Sequence, residues 1–363
     1  MPDLAAIHHI PGTAIRGQIE AVFTAWGVPS ETAAVAAEAL ADADMHGVDS
    51  HGIGLVPMYD VRRGEGRLNV SAVPKVVREK AAVALIDADK SLGHPVSVMA
   101  MRMACEKAQH TGVALVGVRN SNHFGAAGYY ARLAAKRGMI GMAMTHAPGS
   151  AIVPTFGRDA VLGTNPIAFS APAKVNQPFA LDMATSTVAL NKVRNYYRRG
   201  KQIPLGWAMD ESGQPTTDPG VGYKARRVAP VGGTRELGSH KGYGLAMMVE
   251  ILCAVLTGAW AEPGEVDAEG RPVKSSTQTG HFFFAIDPNR MRGGDEFGQD
   301  LDRMINMLHA AEPADPRLPV LVAGDPEYAT FAERTKTGVP LPQSLLDEVR
   351  DVVSRCNAPW MLG

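Results

Sequence analysis

Between Lys75 and Ile286 short apolar runs alternate with helical stretches, and on either side of that middle only helical patterns remain. Runs at 82–87, 113–118, 139–145, 167–170, 179–183 and 281–286 have the length and apolar character of strands. Stretches 95–110, 128–136, 188–199 and 243–257 carry helical spacing, and Gly112 and Gly138 close the first two. Before them, 15–26 reads as an amphipathic helix stopped by Gly27 and Pro29, and Ser30 offers an N-cap for an alanine-rich helix reaching Ala43. After them, 301–308 and 344–356 are helical, separated by a proline-bearing 312–342 that is expected to wrap the surface. The polar 262–279 reads as a surface excursion. The expected fold is therefore mixed α/β. A helical domain is assembled from both ends, 1–74 and 291–363, beside a mixed α/β domain at 75–290.

Composition narrows the function. The chain has 363 residues, enough for two interleaved domains, with 45% hydrophobic and 20% charged residues. Lys and Arg total 36 against 37 for Asp and Glu, so no long-range field recruits nucleic acid or an anionic membrane. Recognition must be local, inside a cleft. The three cysteines, Cys105, Cys253 and Cys356, form no CxxC pair or zinc spacing, and no metal site is expected. So sparse a set fits a reducing cytoplasm, and the N-terminal stretch lacks the basic start and apolar core of a secretory signal. The longest apolar run, from Leu245 to Trp260, contains Glu250, is too short to span a bilayer, and reads as a buried helix.

Several familiar site motifs are missing. No G-x-G-x-x-G joins a strand to a helix: Gly52-Ile53-Gly54 is followed by Pro57 where the third glycine would fall. There is no P-loop, HExxH or GxSxG nucleophile elbow either.

Three polar clusters remain. Asp49-Ser50-His51-Gly52 follows a helix and places a histidine among glycines, where it can donate a proton near neutral pH; a cap on the preceding helix explains it as well. Asn120-Ser121-Asn122-His123-Phe124-Gly125 follows the apolar run at Val113. Strand carboxyl ends are where α/β sheets gather ligands, though a self-satisfied polar turn has the same composition. Gly238-Ser239-His240-Lys241-Gly242-Tyr243-Gly244 opens the helix at Leu245, and its free N–H groups and lysine suit a pyrophosphate or carboxylate; a flexible helix entry is the bland alternative. Two turns add candidates: Thr164 and Asn165 in Gly163-Thr164-Asn165-Pro166, and Asp182 at a strand end before the helix carrying Lys192, where a carboxylate could accept from ribose hydroxyls.

In order along the chain, six segments resemble the type-2 malate/L-lactate dehydrogenases, a family that includes ureidoglycolate dehydrogenases and cyclic ketimine carboxylate reductases. They are DSHGI at 49–53, NSNHFGAAGYYA at 120–131, VLGTNPIAFSAP at 161–172, FALDMATS at 179–186, GQPTTDP at 213–219 and GSHKGYGLAMMVEIL at 238–252. The likeness extends over about residues 15–342. It implies a non-Rossmann NAD(P)-binding domain with a mixed or antiparallel sheet, a homodimer, and NAD or NADP as cofactor. It also implies a small 2-hydroxy or 2-oxo carboxylic acid as substrate. Carried over by position, His51 and His123 are the acid/base pair, with His123 ahead as proton donor, and Ser50 and Lys241 help hold substrate. Thr164, Asn165, Asp182, Met183, Ala184, Lys192, His240 and Lys241 would line the cofactor, joined by the late turn Gly324-Asp325-Pro326. Two rivals stand beside this reading: a cyclic ketimine carboxylate reductase built on the same machinery, and a catalytically silent nucleotide-binding scaffold. One departure counts. Many members have arginine four residues after the DSHG histidine, to clamp the substrate carboxylate, and this chain has Leu55. A buried carboxylate deprived of its cation costs ~3–5 kcal/mol, so another group must compensate or the substrate differs.

Overall fold

A computed structural model describes residues 6–147, 149–260 and 279–363; most of the segment read as a surface excursion, 262–278, lies outside them. Seven strands form the central sheet: β2 (Lys75–Glu79), β3 (Val83–Asp87), β4 (Val113–Ser121), β5 (Ile140–Thr145), β6 (Ile167–Ala171), β7 (Phe179–Met183) and β11 (Thr279–Ile286). Their order is β2-β3-β4-β11-β5-β6-β7. Only β3 and β4 run parallel; every other neighbouring pair is antiparallel. The mixed sheet expected from the sequence is present. β2, which ends in Arg78 and Glu79 and is exposed along its length, escaped the apolar reading.

Helices α4 (Gly93–Thr111) and α5 (Ala127–Ala135) cover one face of the sheet, burying Met101, Ala104, Ala131 and Ala134 against Val116, Val118, Ala143 and Phe283. The small alanines let helix and sheet approach closely, so the layer is dense although few of its side chains are large. On the other face lie α8 (Ser239–Glu250) and the π-turn at 251–255, with Val249 and Cys253 against Met144 and Phe282. Only part of this apolar segment is buried. Leu245, Met247, Met248, Ile251, Val255, Leu256 and Trp260 are all exposed, so the expected buried helix is instead half covered. Among the described residues no element packs over its outer side. Between β7 and α8 lie α6 (Leu190–Arg198), α7 (Pro219–Ala225) and a small sheet of β8 (Ala208–Met209), β9 (Pro215–Thr216) and β10 (Arg227–Val228).

Both chain ends build a second core. β1 (Ile7–Ile10) pairs antiparallel with β12 (Val339–Pro342), and α1 (Gly12–Ala25), α2 (Ser30–Met45), α3 (Val56–Gly64) and α11 (Gln343–Cys356) pack beside that ribbon. Ile15, Ile19, Phe23, Leu40 and Tyr59 meet Leu346, Val349 and Val353 there. Each such aliphatic or aromatic side chain contributes roughly 1.5–3 kcal/mol on burial. At the start of α2 the cap is Pro29, with no side-chain cap bond; Ser30 is already helical, so the expected serine cap does not form. The stretch 312–342, expected to wrap the surface, instead holds α10 (Asp325–Thr337) and β12, while α9 (Glu296–His309) sets Leu301 and Ile305 against Ala171 and Phe179 of the large sheet. Among the described residues no helix is long and apolar enough to cross a membrane.

Candidate active site

A cleft opens between the end of α2, the start of α5, β6–β7 and the first turn of α10. It encloses about 1020 Å³ including its open mouth. Small apolar groups (Ala43, Val48, Ala126, Ala127, Ala180 and Ala184) give it smooth walls, and His51, Asp182, Arg132 and Tyr328 supply the polar points. Asp182 accepts from Gly128 N–H at 2.7 Å through one carboxylate oxygen; the other has no hydrogen-bond partner among the described residues. The surrounding protein raises this carboxyl above its ordinary range, and the Gly128 N–H and the Arg132 charge pull it partly back. Arg132 is itself paired with Asp42, which also accepts from His46.

Beside the cleft four rings converge. His51 and His123 stack with centroids 5.5 Å apart and planes 24° from parallel. The buried Tyr59 hydroxyl lies 3.0 Å from His123 Nδ1 and 3.3 Å from Nε2 of the buried His94. His123 Nδ1 also faces Gly125 N–H at 3.2 Å. A backbone N–H can only donate, so this Nδ1 is bare and the ring hydrogen sits on Nε2. Burial, reinforced by the nearby His51, His94 and Arg62, holds His123 well below the usual histidine range. It is a neutral ring that offers an N–H. His51 differs: its Nδ1 meets the Ser50 hydroxyl at 2.7 Å, and a hydroxyl can donate or accept. Either protonation state of His51 is therefore satisfied, although burial lowers its pKa too. For the buried His94, burial pushes the value to about 3.

The loop that carries His51 is held from two sides. Buried Asp44, near the end of α2, accepts from Ile53 N–H at 2.8 Å. A Cβ on Gly52 would land inside the Asp44 carboxylate, so glycine is required there by space rather than by φ. Arg334 of α10 clamps the Asp49 carboxylate with two nitrogens and also donates to the Asp44 carbonyl.

This geometry has close counterparts. A family model described as malate/L-lactate dehydrogenase matches residues 10–350. The chain belongs to that family. Membership makes it an oxidoreductase of small carboxylates. It is 38% identical over 352 residues to the malate dehydrogenase of Pyrococcus horikoshii, covering 95% of each chain. It is 30% identical over 355 residues to a Delta(1)-pyrroline-2-carboxylate/Delta(1)-piperideine-2-carboxylate reductase of Pseudomonas putida, covering 97% of this chain and 99% of the other. The solved sulfolactate dehydrogenase of Methanocaldococcus jannaschii superposes with a TM-score of 0.87 at 34% identity, covering 97% and 98% of the two chains.

Within this family frame, the residues singled out in the sequence fall into two groups. His51, Thr164, Asp182, Met183 and Ala184 line one cleft, with Ser50 and His123 hydrogen-bonded or stacked onto His51. Asn165 is fully buried and turned away: its amide accepts from Ala147 N–H and donates to the Ala246 carbonyl and Glu250, stapling the turn to α8. Lys192 lies over the Trp207 ring, His240 meets Arg235, and Lys241 folds back toward Gly238; none of the three lines the cleft. The sequence grouped them with the others because a helix start and a strand end both attract ligands, whereas the fold separates them. Gly324 packs on Ala180 and Asp325 binds His309 and Val322 N–H, while Pro326 stays outside; the next two residues, Glu327 and Tyr328, reach the cleft. Tyr59, His94, Arg62 and Arg334 were not singled out, because nothing local distinguishes a residue whose partner is dozens of positions away, and Asp44 and His46 were passed over because they lie at the end of a helix.

Proposed function

We propose that the chain interconverts a small 2-hydroxy acid and the corresponding 2-oxo acid with NAD or NADP, using His51 as the proton donor and acceptor. The observation that carries this reading is the unequal pair of stacked histidines. His123 already accepts from a backbone N–H at Nδ1, so an imidazolium would put two hydrogens in conflict there. His51 has the amphoteric Ser50 hydroxyl at the same ring position. The donor role therefore moves from His123, favoured in the sequence, to His51.

The cleft residues suit a dinucleotide. Smooth alanine walls admit flat rings, and the unpartnered Asp182 oxygen can accept from a ribose hydroxyl. Thr164, Met183 and Ala184 would hold the cofactor beside it. When bound, the nicotinamide supplies or takes the hydride. In reduction His51 gives its proton to the carbonyl oxygen as the C=O π pair becomes the O–H bond. The neutral His123 offers its Nε2–H to the same oxygen and stabilises developing negative charge without changing protonation state. In oxidation neutral His51 takes the hydroxyl proton. Ser50 fixes the His51 ring, and Tyr59 orients His123.

A second reading is favoured by the full-length likeness to a cyclic imino-acid reductase. There the same proton would go to the imine nitrogen. Screening 2-oxo acids and cyclic imino acids with NADH and NADPH, read by loss of nicotinamide absorbance, separates the two. Turnover of imines alone overturns the hydroxy-acid reading; cofactor binding with no turnover on either panel supports the silent scaffold and overturns both.

The chain should act as a homodimer. The bare apolar side of α8 and the π-turn is the surface offered, since Leu245, Met248, Ile251, Val255 and Leu256 form one exposed stretch left uncovered by the described residues. Sedimentation at micromolar concentration tests this, and a monomer there would refute it.

A further inference from the structure

We infer that Arg62 binds the substrate carboxylate, supplying the cation that Leu55 does not. This rests on the oxidoreductase reading above. Leu55 turns into the helical core and packs with the apolar side chains there, so position 55 presents no charge to the site. Arg62 lies on α3 three residues after Tyr59, hence on the same side of that helix. Its guanidinium is half-buried, and among the described residues its one hydrogen bond goes to Asn122 Oδ1 at the long distance of 3.5 Å. No carboxylate lies within ion-pair distance of it among the described residues, and the nearby Glu65 is taken by Arg67. Most other enclosed arginines have anions: Arg132 has Asp42, Arg334 has Asp49, and Arg227 has Asp159; Arg194, in α6, shares the lack of an ion pair among the described residues but lies away from the histidines. A partly dehydrated guanidinium without an anion is an unfavourable arrangement that a bound carboxylate would relieve. Through Asn122, the residue before His123, it sits at the edge of the histidine cluster, and its charge acts on His123. The planar fork of Arg62 retains free N–H donors, the geometry that grips a carboxylate through two oxygens.

The test uses the full-length enzyme, the best 2-oxo acid from the screen, and the carboxamide of that acid. Arg62→Gln should raise KM for the acid about 10- to 150-fold, as expected for loss of a hydrogen bond to a charged group. KM for the neutral amide and the turnover number should change little. Arg62→Lys should recover part of the acid's KM. Oxalate binding by calorimetry, which needs no turnover, should weaken by a similar factor in Arg62→Gln. An equal rise in KM for acid and amide would reveal a structural role only and overturn the inference, as would unchanged oxalate affinity. Arg62-dependent oxalate binding without turnover on any oxo acid would sink the redox reading and leave Arg62 in place. Turnover that ignores Arg62 would do the reverse. A wild-type enzyme that neither binds oxalate nor turns over an oxo acid would end both.

Discussion

Gly52→Ala offers a direct measure of how the His51 loop is built. The added Cβ falls on the Asp44 carboxylate, which must retreat and give up its 2.8 Å bond to Ile53 N–H. Backbone strain is not the cause, since Gly52 sits at φ −98°. Leaving a buried N–H unsatisfied costs ~1–3 kcal/mol, and displacing the carboxyl from its only backbone donor adds to that, so the variant should lose ~2–4 kcal/mol. Asp44→Ala loses the same bond but also removes the obstacle. In that background Gly52→Ala should cost under ~1 kcal/mol, so the pair should be strongly non-additive. Urea denaturation of the wild type, both single variants and the double variant gives the cycle, with midpoints compared at constant m-value. If the two costs add to within ~0.5 kcal/mol, glycine is required at 52 for some other reason and the proposed support of the loop fails.

Burial raises the Asp44 carboxyl to about 7, above its ordinary 3.8, so the folded state holds this proton more tightly than the unfolded chain. Stability from this group is therefore lost as pH rises from 3.8 toward 7, and Asp44→Asn should be the more stable protein above pH 7, by on the order of 1–4 kcal/mol, with the gap closing at the acid end of that window. Thermal melts across that range check it; a gap that widens toward acid would reverse the sign. His51→Ala should lower turnover by ~10²–10⁴ with cofactor affinity kept, whereas His123→Gln, which retains an N–H, should lose far less. With His51 held below its usual 6.5, kcat/KM for reduction should rise as pH falls through the region below 6.5, while oxidation stays level at neutral pH and declines in that same acid region. Steady-state rates in both directions decide it, and a reduction rate insensitive to pH there would remove His51 from the proton path. Arg334→Met should free Asp49 and cost ~1–3 kcal/mol in denaturation while lowering kcat/KM; unchanged kinetics would show that the clamp does not serve the site.

Much of the fold could be read where local pattern and tertiary burial coincide. The run Val113–Val118 is apolar and Val-rich, and it forms the first part of β4. Its last residues, Arg119 to Ser121, are polar and become strand because Arg119 pairs with Asp87 of β3 and Ser121 with Thr279 of β11. α10 was missed for the opposite reason: it buries no residue completely, so it carries no apolar stripe, and it is held by polar bonds from Arg334 and Tyr328. At the site, His51 and His123 stood out because polar residues crowd around glycines just after regular elements. Tyr59 and Arg62 lie in a short helix with ordinary helical spacing, and their importance comes from meeting Asn122 and His123 some sixty positions later. The exposed flank of α8 shows a further limit. Hydropathy registers that the segment is apolar, but whether its cover comes from the same chain is a matter of quaternary packing.

The clamp on Asp49 joins residues 285 positions apart, and the ribbon beside it pairs the first strand with one that begins at Val339. During synthesis the loop bearing His51 thus waits for some 285 further residues before its last support arrives. A growing chain on the ribosome would carry the reactive ring without the means to aim it, and competence would come late and all at once.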